Sequence, residues 1–250
     1  MNRRLILITN SGADDELAGV AIDKENYLNY FQSPAGGAWE DSEIIPLDKP
    51  SLKELNFHIN LASIHEIGYW LIVFCGHGFA EEDRLGNRYT VLELRDGEHL
   101  KVPMLASWLS NSRSMLIADC CRVVYPCQIA EPLLESREFS EISENLNPDE
   151  CRRIYNQTIE ANVTYGLHEA YSTQYNEKAG DSDVYGGIYS HFLIQEAKKA
   201  VKNLIGNGNM ACSFAEVHDH ASPKVAYVRN NKQHPWRGAG TERIPFVIVA

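Results

Sequence analysis

This 250-residue sequence contains no apolar run close to the roughly 18 residues that a membrane-spanning helix needs, and its mean hydropathy is -0.31. The first apolar run follows two arginines and is too short for the core of a signal peptide. Runs of basic residues are also absent, and the net charge is -11. Because contact with a phosphate backbone needs a basic surface, nucleic acid is not an expected ligand. We therefore expect a cytoplasmic protein with neither a membrane nor a nucleic-acid partner.

The six cysteines lack the spacing of a zinc site or of a disulfide framework. Cys120 and Cys121 are adjacent, which makes them poor partners for a structural disulfide. His218, Asp219 and His220 are candidate metal ligands, but neighbours on a helix point to different faces and a third ligand is not evident. The sequence therefore predicts reduced thiols and no metal site.

Five short runs rich in apolar and β-branched residues indicate strands, and the segments between them are long enough for helices. These runs are residues 5–9, 43–47, 69–75, 114–118 and 244–249. Segments 17–31 and 52–67 predict helices that pack on a mainly parallel sheet. A hydrophobic content of 44% is enough for one core in a single domain over residues 1–250. The pattern predicts an α/β fold.

An acidic stretch at residues 127–149 has little periodicity and predicts an exposed connector. Before it, Asp96 and Gly97 stand between two short apolar runs and predict a β-hairpin. After it, three elements are predicted, namely helices at 150–161 and 188–205 and a strand at 168–173. The connector thus divides the chain into two unequal parts.

Two of the predicted strands end in a side chain suited to nucleophilic chemistry. One runs into the sequence GHG, which contains His77, and the other into DCCR, which contains Cys121. Since the carboxyl ends of parallel strands meet at one edge of an α/β sheet, the two side chains are expected to be neighbours. An imidazole that accepts the proton of a thiol makes it a competent nucleophile, and the amides of Gly78 and Cys121 are candidates for binding the oxyanion formed on attack. Buried cysteines are usually inert hydrophobes, which is our interpretation of Cys75 and Cys212.

The GHG and DCCR sequences resemble the catalytic motifs of the caspase, metacaspase and paracaspase superfamily of cysteine peptidases, and the likeness covers nearly the whole chain. In that superfamily the nucleophile follows a small or sulfur-containing residue that itself follows an acidic residue or glutamine, which assigns this role to Cys121 and not to Cys120. The resemblance implies a three-layer α/β/α sandwich, with a large-subunit-like part over residues 1–126 and a small-subunit-like part over 150–250. It is nearest to stand-alone bacterial proteins, although Val123 and Val124 replace the glycine or histidine-serine-glycine that relatives have after the arginine.

The resemblance also implies a preference for a basic substrate residue. Caspases that cut after aspartate typically have glutamine at the position of Asp119, whereas metacaspases and paracaspases, which cut after arginine or lysine, have aspartate. Asp23 matches a second acidic position of the paracaspase pocket, and Asp181 matches a third. A carboxylate that faces a guanidinium gains a charge-assisted contact and repels an acidic side chain. Taken without the resemblance, Asp23 and Asp181 have an alternative interpretation as solvated carboxylates on a helix and in a loop, and this alternative is stronger for Asp181.

The expected partner is a protein or peptide with arginine or lysine before the scissile bond. We expect control by an activating protein, a protease or a small ligand, and Arg137 in the connector is the candidate cleavage site. Acyl transfer by cysteine and histidine needs no cofactor. Metacaspases often need calcium, but the acidic residues here form no EF-hand pattern. The resemblance to bacterial proteins implies antiphage defence or regulated cell death.

Two other functions remain open from the sequence. A catalytically silent homologue would act as a binding or scaffold module, and a redox protein would use Cys120 and Cys121, or Cys127. Labelling of Cys121 by an arginine-based electrophile separates the peptidase from the scaffold. Thiol oxidation that is independent of His77 would favour the redox function.

Overall fold

The computed structural model describes residues 1–12, 17–63, 66–123, 146–207 and 210–250. Its helices are α1 (Val20–Gln32), α2 (Leu52–Ser63), α3 (Val102–Trp108), α4 (Pro148–Asn162), α5 (Ile188–Asn207) and α6 (Phe214–Val228). Its strands are β1 (Arg3–Asn10), β2 (Ile44–Asp48), β3 (Tyr69–Gly76), β4 (Gly78–Glu82), β5 (Arg88–Glu93), β6 (His99–Lys101), β7 (Arg113–Asp119), β8 (Gly166–Tyr171), β9 (Asp181–Ser182), β10 (Gly186–Gly187), β11 (Ala211–Ser213), β12 (Trp236–Arg237) and β13 (Pro245–Ile248).

Six strands form the central sheet in the order β12-β8-β7-β3-β1-β2. All neighbouring pairs are parallel except β12 with β8. The middle strands β1, β3 and β7 are buried along almost their whole length. Their continuous apolar sequences are typical of strands in a sheet that is covered on both faces. The predicted mainly parallel sheet is confirmed.

Alternate residues of the strands enter two separate hydrophobic clusters, one on each face of the sheet. Leu71 and Val73 of β3 pack with side chains of α1, α4, α5 and α6. Trp70, Ile72 and Phe74 of the same strand pack with α2 and α3 on the opposite face. The fold is therefore a three-layer α/β/α sandwich, as predicted.

A small antiparallel sheet, β4-β5-β6, follows β3 directly and lies beside the end of the central sheet. The predicted hairpin corresponds to β5 and β6, whereas β4 was not predicted. Helix α3 begins at Val102, directly after β6, and has a proline in its first turn.

Some elements differ from the sequence-based expectation in their bounds or in the sheet that they join. Helix α1 begins at Val20 and not at residue 17. Helix α4 begins at Pro148, inside the predicted connector, because the Asn147 side chain accepts hydrogen bonds from the first-turn backbone N–H groups. The described part of α2 ends at Ser63. The run at 244–249 forms β13, which pairs with β11 and lies outside the central sheet.

The division into large-subunit-like and small-subunit-like parts stays a prediction, since residues 127–145 of the connector lie outside the described residues. Strands β8 and β12 come from the part after the connector and complete the sheet next to β7. Within the described ranges, no helix is both long and apolar enough to cross a membrane.

Candidate active site

The parallel register of β3 and β7 places His77 and Cys121 at the same level of the sheet. Cys75 pairs with Asp119 in the ladder, and each reactive side chain stands two residues beyond its member of that pair. A Cβ atom on Gly76 would lie 2.4 Å from the backbone oxygen of Asn10, so only glycine allows β3 to end this close to β1. The chain then turns at His77 into the small sheet.

One cavity is lined by His77 and Cys121 together with all three predicted pocket carboxylates. Its described lining residues are Leu17, Val20, Asp23, Gly76, His77, Asp119, Cys121, Ala179, Gly180, Asp181 and Gly187. None of these lining residues is lysine or arginine. The arrangement therefore combines a thiol, an imidazole and three acidic groups in one cleft.

The two adjacent cysteines have different surroundings. Cys120 is 1% exposed and belongs to the hydrophobic cluster under the small sheet. Cys121 is partly exposed and lines the cavity. Only Cys121 therefore has the access that a nucleophile needs.

The backbone N–H of Gly78 points toward the segment that carries Cys121. Glu93 donates its N–H to the His77 carbonyl oxygen, which makes the next pair along the β4-β5 ladder, Gly78 with Leu92, a non-hydrogen-bonded pair. N–H groups two residues apart on a strand share a side, and that of Ala80 donates to the carbonyl oxygen of Val123 at 3.0 Å. The Gly78 N–H is thus directed as an oxyanion donor would have to be.

The amino-terminal end of α5 holds the two deepest carboxylates. Gly187, directly before the helix, donates its N–H to both oxygens of Asp23 at 2.9 Å. Ser190 donates its N–H and its hydroxyl to Oδ2 of Asp119 at 3.0 and 2.7 Å. These donors, with the positive end of the helix dipole, favour the charged carboxylates.

Burial disfavours the charged carboxylates, and its effect on their pKa values is larger than that of the hydrogen bonds. Desolvation raises the pKa of Asp23 well above its usual range, the charge of Asp119 adds to the shift, and the Gly187 N–H counteracts it. Desolvation likewise raises the pKa of Asp119, against the hydrogen bonds from Ser190. A cationic group that enters the cavity would supply an opposite charge and would thereby stabilise the charged forms of both carboxylates.

Asp181 lies closer to solvent, on β9. Its carboxylate accepts the N–H of Gly19 at 3.0 Å, in the turn before α1. Desolvation raises the pKa of Asp181, and the Gly19 N–H and the charge of His77 act against this shift. Asp181 is therefore within electrostatic range of the imidazole.

Gly187 and Ser190 are site residues that sequence reasoning missed. A Cβ atom on Gly187 would lie 2.3 Å from Oδ2 of Asp119 and 2.9 Å from Oδ2 of Asp23. The two carboxylates therefore pack directly against the backbone of Gly187, where a side chain would not fit. The only available signal was a glycine pair immediately before a strongly periodic helix. That pattern locates a helix start but does not say what the helix end faces.

The other predicted features have structural roles or lie outside the described residues. His218 is buried and its Nδ1 lies 2.8 Å from the Tyr189 hydroxyl, while Asp219 is paired with Arg237. Across the described ranges, no group of three potential metal-ligating side chains is found. Cys127 and Arg137 lie outside the described residues.

Comparisons with known proteins agree with this architecture. A family model described as "Caspase domain" matches residues 2–243. Caspase-1 from Spodoptera frugiperda has a similar structure, with a TM-score of 0.59 and 12% sequence identity over 96% of this chain and 86% of that chain. A comparison with curated protein sequences gave no match. At this identity the structural likeness shows the fold alone, whereas the family model covers nearly the whole sequence. The chain belongs to the caspase-domain family of cysteine peptidases.

Proposed function

We propose that this chain is a cysteine endopeptidase that cleaves a protein substrate after arginine or lysine. The observation that carries the proposal is the single cavity shared by Cys121, His77 and three carboxylates, with no lysine or arginine among its described lining residues. Family membership supports a protein as the substrate. The preference for a basic residue is supported by the charge of the cavity.

In the proposed reaction, His77 accepts the proton of the Cys121 thiol, and the sulfur attacks the carbonyl carbon of the scissile bond. The N–H groups of Gly78 and Cys121 stabilise the oxyanion of the tetrahedral intermediate. Collapse breaks the C–N bond, and protonated His77 gives its proton to the leaving amine. Water, deprotonated by His77, then attacks the thioester and releases the acid with regeneration of the thiol. No cofactor takes part in these steps.

The proposed pocket binds the side chain before the scissile bond through charge. Asp23 and Asp119 lie at its base and are buried, so their attraction to a guanidinium or ammonium group is weakly screened by solvent. Asp181 lines the same cavity and lies within electrostatic range of His77. An acidic substrate side chain would meet three carboxyl groups and no lysine or arginine among the described lining residues, which disfavours cleavage after aspartate.

Hydrolysis of matched fluorogenic peptides that end in arginine, lysine, leucine or aspartate tests the proposal. We expect cleavage after arginine and lysine that disappears in Cys121→Ala. Cleavage after aspartate or leucine would refute the acidic pocket and leave the dyad standing. If the wild type cleaves none of the peptides, even after limited proteolysis, the catalytically silent scaffold becomes the better account.

The resemblance to stand-alone bacterial caspase-like proteins supports a role in antiphage defence or regulated cell death, in the cytoplasm and under the control of a partner protein or protease. Growth of bacteria that express the wild type or Cys121→Ala, with and without phage, tests this role. Survival that is the same for both variants would contradict it. Addition of calcium or a chelator to the peptide assay tests the expectation that no metal is needed.

A further inference from the structure

Arg122, the residue after the nucleophile, is almost completely buried although it is charged. It is 3% exposed. Its guanidinium carbon lies 3.9 Å from the ring centre of Tyr171 and 3.7 Å from that of Tyr175, with Trp236 at 5.7 Å. A desolvated guanidinium is attracted to the negative faces of aromatic rings, so these contacts hold it in place.

The same side chain makes directional hydrogen bonds to two other segments. Its Nε donates to the hydroxyl of Thr90 on β5 at 2.9 Å, and its Nη1 donates to the carbonyl oxygen of Thr173 at 3.0 Å. The planar fork of the guanidinium thus connects the small sheet with the chain beyond β8. Lysine has no second nitrogen with which to make both bonds in this geometry.

The backbone of Arg122 is attached to the same loop. Its N–H donates to the carbonyl oxygen of Glu177, and its carbonyl oxygen accepts the N–H of Asn176. This loop continues to Ala179 and Asp181, which line the cavity. Arg122 therefore ties the segment that carries Cys121 to the small sheet and to the loop that forms the cavity wall.

We propose that Arg122 is a positioning residue, which holds the Cys121 sulfur in register with His77 through its aromatic sandwich and its bonds to Thr90 and Thr173. The inference rests on the proposed function, since it concerns the same nucleophile. A nucleophile displaced by about 1 Å loses on the order of 100-fold in rate. The effect appears in kcat, because Arg122 is not among the residues that line the cavity.

Arg113 provides the matched control, since it begins the same strand, β7, at the opposite edge of the sheet. Its guanidinium carbon lies 4.6 Å from the ring centre of Tyr165, and its Nε donates to the carbonyl oxygen of Val163. Arg113 therefore makes the same kinds of contact as Arg122 but far from Cys121. Because Arg113 is only partly buried and Tyr165 is 64% exposed, the melting temperature of each variant is measured beside the rates, which separates a loss of stability from a displacement of Cys121.

The test compares Arg122→Lys with Arg113→Lys in two assays. The first measures kcat and KM on an arginine peptide, and the second measures the alkylation rate of Cys121 by iodoacetamide against pH, with the modified peptide identified by mass spectrometry. We expect Arg122→Lys to lower kcat about 10- to 100-fold, to change KM less than about 3-fold and to alter the alkylation profile. Arg113→Lys is expected to leave both rates unchanged.

The outcomes distinguish this proposal from the proposed function. A folded Arg122→Lys variant with wild-type kcat and a wild-type alkylation profile overturns the positioning role. If the wild type cleaves no peptide, the peptidase proposal fails, and the alkylation profile alone decides the role of Arg122. If Arg122→Lys does not fold, Tyr175→Leu removes one ring and Thr90→Val removes one acceptor, and unchanged profiles in both variants overturn the proposal.

Discussion

The replacement of Asp119 by asparagine tests whether charge or shape selects the substrate. Asparagine has nearly the size of aspartate, and its oxygen can still accept the N–H and hydroxyl of Ser190, so the fold should tolerate the change. What it removes is the negative charge at the base of the cavity. In the substrate, replacement of arginine by its neutral analogue citrulline removes the opposite, positive charge. The two enzymes assayed with the two substrates therefore form a double-mutant cycle.

The expected loss of kcat/KM in Asp119→Asn follows from the free energy of one hydrogen bond between charged groups. Such a bond is worth about 1.5–3 kcal/mol, which corresponds to roughly 10- to 150-fold in kcat/KM. We expect Asp119→Asn to lower kcat/KM for the arginine peptide by that factor and to change the value for the citrulline peptide by less than about 3-fold. An arginine-to-citrulline ratio that is the same in wild type and variant would refute the acidic pocket. Circular dichroism and thermal unfolding verify that the variant is folded.

Three further predictions follow from the same contacts. Desolvation raises the pKa values of Asp23 and Asp119, and their protonation removes the charge that binds arginine. The ratio of kcat/KM for the arginine peptide to kcat/KM for the citrulline peptide should therefore fall with acidification, at a pH above the usual range of aspartate. A ratio that stays constant with pH would contradict the role of these carboxylates. Asp23→Asn should raise the free energy of unfolding near neutral pH, because burial raises the pKa of Asp23 and the charged carboxylate therefore destabilises the folded state as the pH rises through that range. A lower Tm for the variant than for the wild type contradicts this reasoning. Gly187→Ala should lower kcat/KM at least about tenfold, since the new methyl group must displace both carboxylates. Gly68→Ala should not, since its new methyl group would come closest to the flexible Met1 side chain and would meet the backbone oxygen of Asn2 only at 3.5 Å. Equal rates in the two variants would exclude the proposed role of Gly187.

The central sheet could be predicted because β1, β3 and β7 are buried on both faces and therefore appear as continuous apolar runs. The neighbouring position of His77 and Cys121 followed from the same rule, since both stand where such a run ends. Short strands could not be predicted, because they are too short to show a sequence pattern. Strands β9, β10 and β12 contain two residues each, and their pairing depends on the loops around them and not on a local pattern.

The start of α1 shows how a distant contact overrides local pattern. Leu17 to Gly19 extends the helical periodicity toward the N-terminus, but the Gly19 N–H donates to Asp181, far along the chain. A Cβ atom on Gly19 would lie 2.2 Å from the Asp181 carboxylate. The chain therefore enters the helix one turn later than the pattern predicts, and Asp23 is presented to Gly187 from its first turn.

Covalent capture of the nucleophile tests the account most directly. A peptide that ends in an arginyl chloromethyl ketone is incubated with the wild type and with His77→Ala, beside an aspartyl analogue, and the modified residue is mapped by mass spectrometry. The account predicts a single adduct on Cys121 of the wild type, formed with the arginyl reagent much faster than with the aspartyl reagent and much more slowly in His77→Ala. An adduct on Cys120 or Cys212, or equal rates for the two reagents, would contradict it.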